Sequence, residues 1–325
     1  MYLDRVVLSD FRVFIIIKLN CEIVMAALLV DKVFKAYEDF KAVDGISFAA
    51  EAGKLFGLLG PNGAGKTTTM RMIMNIIVPD SGRIEILGKP FSPELQNKIG
   101  YLPEERGLYP KMKLLAHLQF LGEMKGLSGS AAREKAANWL ERFDLISWAN
   151  KKIQDLSKGM QQKVQFIGTI MHDPDLLIVD EPFSGLDPIN VKFLKDILLE
   201  MKSQGKTIIL STHLMDQAEK LCDHICLINK GKVVLEGPLE TVKEKYSHNA
   251  IILEYSGDAG FISKLPLVQK TDEYGNYMEI RLKDQADSQE LFKVVAASEL
   301  RVKKFETAET SLNDIFIEIV GGQKP

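Results

Sequence analysis

The chain lacks the long hydrophobic run that a membrane-spanning helix needs. Crossing a bilayer takes about 18 to 20 consecutive apolar residues, and the nearest candidate, Val13–Ile17, is bounded by Arg12 and Lys18. That run is also too short for the apolar region of a signal peptide. We therefore expect neither a transmembrane helix nor a cleaved leader.

The chain also has few cysteines and a small net charge. The 325 residues include three cysteines, Cys21, Cys222 and Cys226, which are too few for a disulfide framework and suit a reducing compartment. The formal net charge of −3 gives no general attraction for nucleic acid. Because 46% of the residues are hydrophobic, we expect a folded chain with a real core.

The patterning divides the chain after Gly237. Residues 25–237 alternate strand and helix patterns, with helical spacing from Lys66 toward Pro79 and over residues 107–150. Residues 238–325 predict a small split βαββαβ unit and a last helix. Residues 1–24 are either an N-terminal extension, possibly a start-site artefact, or an ordered extra strand.

A glycine-rich segment, "GPNGAGKTT", follows a short predicted strand and opens a helix. It fits G-x-x-x-x-G-K-[ST], in which backbone N–H groups and a lysine surround phosphates and a threonine hydroxyl faces Mg²⁺. The segment predicts a nucleotide site, with Lys66 on the terminal phosphates and Thr67 on the metal. The predicted binding residues are Gly60, Pro61, Asn62, Gly63, Ala64, Gly65, Lys66, Thr67 and Thr68.

Two acidic residues end a later buried strand, "LLIVDE". We expect Asp180 to orient Mg²⁺ through water. Glu181 projects differently and can orient or deprotonate an attacking water. Alone, an acidic pair at a strand end is unremarkable; with the glycine-rich segment it predicts phosphoryl transfer to water.

Further short segments carry a family resemblance. "SGLD" (184–187), "STH" (211–213) and "KAY" (35–37) accompany the two motifs above, and together residues 28–237 resemble an ABC-type ATPase subunit. The resemblance implies that His213 is the switch histidine, that Tyr37 stacks on adenine, and that Asp187 lies in the D-loop at the nucleotide. It also implies ATP and Mg²⁺ as cofactors.

"DLSKGMQQK" (155–163) lies where the family has its signature. In this family the signature faces the nucleotide of a second subunit, in a head-to-tail dimer with shared ATP sites. Ser157 and Gly159 match the family pattern, whereas Lys158 and Met160 depart from it. We interpret the segment as a working variant; the alternative is a degenerate half-site.

A second departure is Glu104, which stands where most members have glutamine. A carboxylate still accepts a hydrogen bond or approaches Mg²⁺, but it adds a charge and loses a donor. The resemblance places a helical subdomain at about 104–165. Residues 107–125 would contact the transport partner. The apolar face of this segment would be formed by Leu108, Tyr109, Met112, Leu114 and Leu115.

Three other features are better explained without a ligand. "CDHIC" (222–226) offers too few ligands for zinc, and predicted structure scatters their directions. We interpret Cys222 and Cys226 as buried thiols and His117 as a packed or surface residue. "RVKK" (301–304) is one solvated strand face.

The sequence therefore predicts an α/β fold: a P-loop NTPase core of the ABC type with an antiparallel β subdomain and a helical subdomain, plus a small α+β C-terminal domain. The resemblance, most similar to bacterial ABC-2-type exporters of the sodium- or drug-efflux kind, implies ATP hydrolysis driving export through separate membrane permease subunits. The chain would lie peripherally on the cytoplasmic face of the membrane, with no nucleic acid partner. The alternatives are a soluble ABC ATPase acting on ribosomes or nucleic acid, and a non-catalytic regulatory subunit.

Overall fold

A computed structural model describes residues 3–4, 16–19, 22–105, 107–246, 250–283, 286–307 and 310–321, with side chains from residue 26 onward. The chain divides into two compact units, residues 1–239 and 240–325. In the described residues no helix is both long and apolar enough to cross a membrane.

The first unit contains two sheets and several helices. Its strands are β1 (Leu3–Asp4), β2 (Ile16–Leu19), β3 (Glu22–Tyr37), β4 (Phe40–Glu51), β5 (Leu55–Leu59), β6 (Ser81–Ile86), β7 (Lys89–Pro90), β8 (Ile99–Leu102), β9 (Leu176–Asp180), β10 (Thr207–Thr212), β11 (His224–Asn229) and β12 (Lys232–Pro238). Its helices are α1 (Lys66–Ile73), α2 (Leu114–Met124), α3 (Gly129–Arg142), α4 (Lys158–Ile170), α5 (Pro188–Ser203) and α6 (Met215–Glu219). Short 3₁₀ turns cover Pro93–Lys98, Ile146–Trp148 and Ile153–Asp155.

The sheet that carries the site has the strand order β12-β11-β5-β10-β9-β8. Strands β11, β5, β10, β9 and β8 are parallel, and β12 is an antiparallel edge. Every residue of β5, β9 and β10 is buried, as expected for parallel strands covered on both faces. The loops at the carboxyl ends of β5, β10, β9 and β8 therefore lie side by side.

The antiparallel sheet is built on the β3–β4 hairpin. Strand β3 pairs with β4, β6 and β2, and Tyr37 lies opposite Phe40 at the turn. Phe48 of this sheet stacks on Phe56 of β5 with ring centroids 5.1 Å apart. The two sheets thus share one apolar core.

The described parts of residues 1–24 are strand. β2 pairs with the start of β3, with Ile17 opposite Val24, and β3 begins before Met25. That residues 1–24 are an N-terminal extension, possibly a start-site artefact, stays a prediction. The remaining residues of this segment lie outside the described range.

Two predicted helices are shorter in the structure. Helix α1 ends at Ile73 because Asn75 adopts a left-handed conformation (φ 54°) that closes the last turn. Residues 107–113 are not helical, so that part of the prediction is wrong. Pro110 has no N–H to donate, and the segment instead pairs with residues 151–154, with Ile153 N donating to Met112 O over 3.0 Å and Gln154 N to Pro110 O over 3.0 Å.

The second unit is a four-stranded antiparallel sheet with helices. Its elements are α7 (Leu239–Lys245, which starts at the unit boundary), β13 (Ala250–Ser256), a 3₁₀ turn (Ile262–Lys264), β14 (Val268–Tyr274), β15 (Tyr277–Leu282), α8 (Ser288–Ala296), β16 (Arg301–Thr307) and α9 (Leu312–Gly321). The strand order is β14-β15-β13-β16, the arrangement expected of a split βαββαβ unit, although the first helix is reduced to the 3₁₀ turn. Leu253, Ile280 and Leu291 belong to its own core.

Candidate nucleotide site

The site forms around a cavity of about 380 Å³ at the carboxyl edge of the parallel sheet. The predicted glycine-rich loop follows β5, Glu181 follows β9, and the Glu104 loop follows β8. The structure thus brings together three segments that are far apart in sequence. The cavity is lined by Phe40, Ala42, Asn62, Gly63, Ala64, Gly65, Lys66, Thr67, Thr68, Glu104 and Glu181.

The glycine-rich loop needs glycine at two close approaches. At Gly60 (φ 148°) a Cβ atom would lie 2.1 Å from Ile228 O, and at Gly65 (φ 107°) it would lie 2.5 Å from Ala42 O. Helix α1 begins directly after Gly65, and its first three residues, Lys66, Thr67 and Thr68, line the cavity. Such a helix start favours a bound anion.

Lys66 is held inside the loop that precedes it. Its Nζ donates to Gly60 O over 2.8 Å and to Pro61 O over 3.2 Å, and lies 3.8 Å from Oε1 of Glu181. Burial lowers the pKa of Lys66, while the carboxylates of Glu181, Asp180 and Glu104 oppose that shift. The ammonium group therefore lies where phosphate oxygens would be bound, with three carboxylates near it.

Glu181 and His213 are in direct contact. Oε1 of Glu181 accepts from the backbone N–H of His213 over 3.0 Å and lies 2.8 Å from its Nδ1, and Oε2 accepts from the Thr212 hydroxyl over 3.1 Å. Glu181 has a left-handed backbone (φ 47°). The carboxylate is therefore fixed by the end of β10, and His213 reaches the site through Glu181.

Asp180 is a buried carboxylate without a partner in the described residues. It is 1% exposed, and neither carboxylate oxygen has a hydrogen bond there. An ionised carboxylate in that setting is costly unless a cation neutralises it. Thr67 and Glu104 line the adjoining cavity, and carboxylate and hydroxyl oxygens of this kind suit a hard divalent cation such as Mg²⁺.

Two aromatic residues stand at the hairpin beside the cavity. Phe40 lines the cavity, although it was not predicted as a site residue, and Tyr37 is not among the lining residues. Both rings are exposed, at 63% and 45%, and Lys35 Nζ lies 5.7 Å from the Tyr37 ring centroid. The strand register, with Phe40 opposite Tyr37, is the signal that could have identified Phe40. Adenine stacking by Tyr37 stays a prediction.

The signature residues do not line this cavity. Ser157 caps α4, its hydroxyl accepting from Met160 N over 3.3 Å, and it is exposed. A Cβ at Gly159 would meet nothing within 4 Å. Ser157 and Gly159 thus lie on an open surface, where a separate molecule could approach them.

Asp187 has a structural role that the sequence interpretation missed. It caps α5, accepting from Ile189 N and Asn190 N over 3.0 Å each. The pKa of Asp187 is lowered, chiefly by the hydrogen bond from Asn190 N. The Asp-Pro-x-Asn order at a helix start is the sequence signal for such a cap.

The sequence features that we interpreted without a ligand are either buried or on an exposed strand. The described residues contain no group of three or more His, Cys, Asp or Glu side chains placed to hold a metal. Cys222 and Cys226 are buried, and His117 is fully buried on α2. Residues 301–304 lie in β16 and are exposed.

Comparisons with known proteins give the same assignment. Residues 43–184 match the family model described as "ABC transporter", and residues 237–320 match "ATP-binding protein DrrA1-3-like, C-terminal domain". The chain is 42% identical to the "Uncharacterized ABC transporter ATP-binding protein YhaQ" of Bacillus subtilis (strain 168), over 90% of this chain and 98% of that protein.

Two further relatives and one solved structure are also similar to this chain. The "Nod factor export ATP-binding protein I" of Cupriavidus metallidurans is 33% identical, covering 91% of this chain and 98% of its own. The "Linearmycin resistance ATP-binding protein LnrL" of Bacillus subtilis is 32% identical, covering 90% and 98%. The solved structure of an "ATP binding subunit of ABC transporter" is 32% identical with a TM-score of 0.64, covering 68% of this chain and 93% of that one.

The predicted fold class is confirmed by these neighbours, and the regulatory and ribosomal alternatives have no support from them. The chain belongs to the ATP-binding subunits of ABC transporters, ATPases that bind and hydrolyse ATP to power transport.

Proposed function

We propose that this chain drives export of a substrate through separate membrane permease subunits, from the cytoplasmic face of the membrane. The observation that carries the proposal is the placement of Glu181 3.8 Å from Lys66 and 2.8 Å from His213. The buried Asp180, whose carboxylate has no hydrogen bond within the described part of the chain, precedes Glu181. Export is supported by the names of the Nod factor and linearmycin resistance relatives.

Asp180, Thr67 and Glu104 are the residues that would hold Mg²⁺. When bound, the ion would neutralise phosphate charge and polarise the transferred phosphoryl group. Lys66 supplies the second positive charge, and the N–H groups of the loop and α1 orient the phosphates. Glu104 carries a negative charge that the family's usual glutamine lacks. Its position on the cavity wall suits contact with either a water or the ion.

Glu181 would orient and deprotonate the attacking water. Its carboxylate is the only one in this part of the cavity wall, among the described residues, that also contacts His213. His213 then acts by holding Glu181 in place, and Thr212 fixes the second oxygen. These roles explain why Glu181 and His213, which follow different strands, must lie in contact.

The test is Glu181→Gln, which keeps the shape of the side chain but removes its charge and replaces one acceptor oxygen with an NH₂ donor. ATP binding should persist, whereas hydrolysis should fall by about 10²-fold or more, and an ATP-bound dimer should accumulate. Glu200→Gln, an acid on α5 paired with Arg142 away from the cavity, is the matched control. Turnover of Glu181→Gln within about threefold of wild type would reject Glu181 as the catalytic acid–base group.

We further propose that Ser157 and Gly159 complete the ATP site of a second subunit. They lie on an open surface and do not line the cavity of their own chain. Mixing a Ser157→Arg chain with a Lys66→Ala chain should restore activity, since one composite site then carries neither change. If heterodimers form but no activity returns, while dimers with one intact site are otherwise active, the assignment in trans is wrong.

We propose that the surface after Glu104 contacts the permease, but through residues that differ from those named in the sequence analysis. Leu114 is fully buried, and Leu108, Met112 and Leu115 are half-buried, so they pack the helical subdomain. The exposed apolar side chains there are Tyr109, Phe120 and Met124. Cysteines at 109, 120 and 124 should cross-link to a multi-span membrane protein in membranes that contain the assembly. Adducts confined to this chain or to ribosomal proteins would contradict the contact.

A further inference from the structure

We infer that Gln162 and Gln165 are positioning residues that tie the signature helix α4 to two loops of the ATP site. The inference deepens the proposed function and rests on it, because it concerns how Ser157 and the catalytic loops keep their relative positions. The glutamines lie five and eight residues after Ser157, on the helix that Ser157 caps.

Gln165 holds the loop that contains Glu104. Its Nε2 donates to Glu105 O over 3.0 Å and to Pro103 O over 3.3 Å, so the two carbonyls on either side of Glu104 share one amide group. Gln165 is 9% exposed, in a helix turn that is otherwise apolar. A buried amide with both N–H groups directed at one loop restricts where Glu104 can lie.

Gln162 holds the segment that follows Glu181. Its Nε2 donates to Ser184 O over 3.0 Å and to Pro182 O over 3.1 Å. That segment runs directly from Glu181 to Asp187. One rigid helix therefore contacts the backbone on both the Glu104 side and the Glu181 side of the cavity.

Because Gln162 and Gln165 lie on one helix, their hydrogen bonds couple the two loops to the position of that helix. A displacement of Ser157 along or about α4 moves both amide groups with it, because the helix backbone between them is continuous. A second subunit that presses on Ser157 would then shift the Glu104 and Asp187 loops together. Without the amide donors, the loops would be free to adopt other positions while the helix stayed folded.

A glutamine outside the signature segment supplies a matched control. Gln204 follows α5 and donates from Nε2 to Glu200 Oε1 over 3.5 Å, and neither residue lines the cavity. The test set is Gln162→Met, Gln165→Met and Gln204→Met, since methionine keeps the length and removes the donors. Each is measured in the full chain for ATPase kinetics, ATP binding and amide hydrogen exchange.

Gln165→Met and Gln162→Met should lower kcat about fivefold or more with the KM for ATP changed less than about twofold, whereas Gln204→Met should leave kcat unchanged. In a double-mutant cycle, Gln165→Met should have a much smaller effect in a Glu104→Gln background, because its role is exerted through that loop. Equal effects of all three glutamine variants, or full additivity with Glu104→Gln, would overturn the inference.

Hydrogen exchange separates this inference from the proposed function. Gln165→Met should speed exchange at residues 104–105 and Gln162→Met at residues 183–184, each leaving the other loop unchanged. That pattern needs no ATPase activity, so a wild-type chain that fails to hydrolyse ATP would reject the proposed function alone. Unchanged exchange in both loops would reject the linkage even in an active enzyme. If one variant does not fold, the other tests its own loop.

Discussion

Replacing His117 by leucine should remove part of the acid sensitivity of the first unit. His117 is completely buried on α2, and neither ring nitrogen has a hydrogen-bond partner in the described structure. The Tyr109 ring packs edge-on against it at 5.6 Å. Burial lowers the pKa of His117 from 6.5 to about 4. The folded chain therefore keeps this imidazole neutral at a pH where the unfolded chain protonates it.

The magnitude follows from the two pKa values. Because the folded pKa is the lower one, the stability linked to His117 is fully present above pH 6.5 and is lost as the pH falls toward 4. One pKa unit corresponds to about 1.4 kcal/mol. At pH 5 the loss is about 2 kcal/mol, and at lower pH it approaches about 3.4 kcal/mol. His172, also lowered to about 4, chiefly by burial, should add a similar amount.

The assay is urea unfolding at pH 7.5 and 5.0, followed by tryptophan fluorescence. Both tryptophans, Trp139 and Trp148, lie in the first unit. The loss of unfolding free energy on acidification should be about 2 kcal/mol smaller in His117→Leu than in the wild type. His172→Leu should show its own reduction, and the double variant should show both. If His117→Leu loses as much stability as the wild type between these pH values, the imidazole is not kept neutral by burial and the reasoning fails.

Three other predictions concern backbone, thiols and the N-terminus. Gly65→Ala should weaken ATP binding at least about tenfold in equilibrium titration, because its Cβ would lie 2.5 Å from Ala42 O at a φ of 107°; unaltered binding would show that the loop tolerates the displacement. Cys222 and Cys226, whose pKa values are raised by burial, should resist iodoacetamide in the native chain and react in denaturant; rapid native labelling detected by mass spectrometry would contradict their burial. A chain that starts at Met25 keeps the pairing of β3 with β4 and β6, so its Tm should stay within about 4 °C of the full chain, and a larger drop would assign β2 to the stable core.

The sequence predicts local features of this fold well. The glycine-rich loop, the short strand before it (β5) and the buried strand β9 each depend on neighbouring residues, and each is present. The order of strands in the second unit also follows from the split βαββαβ pattern. These features are set by short-range periodicity and turn chemistry, which a single sequence contains.

Features that depend on distant partners were not predicted. Residues 107–113 carry Leu and Met at helical spacing, yet they pair with a segment about forty residues away. The hydrogen bonds of Gln162 and Gln165 join residues 20 to 62 positions apart, and no local pattern marks them. The contact of Glu181 with His213 arises because β9 and β10 are neighbours, which only the strand order reveals.

The left-handed backbone of Glu181 has a consequence for the history of this family. A glutamate at φ 47° is strained by roughly 1–2 kcal/mol compared with glycine, and asparagine also tolerates that conformation better. The backbone conformation therefore gives no reason to keep glutamate there, whereas its hydrogen bonds to Thr212 and His213 and the role proposed for its carboxylate do. A descendant that no longer hydrolysed ATP would lose this backbone strain by replacing the glutamate. We therefore expect glycine or asparagine at this position in such relatives. The residue at this one position would then distinguish working ATPases from relatives that retain only the architecture.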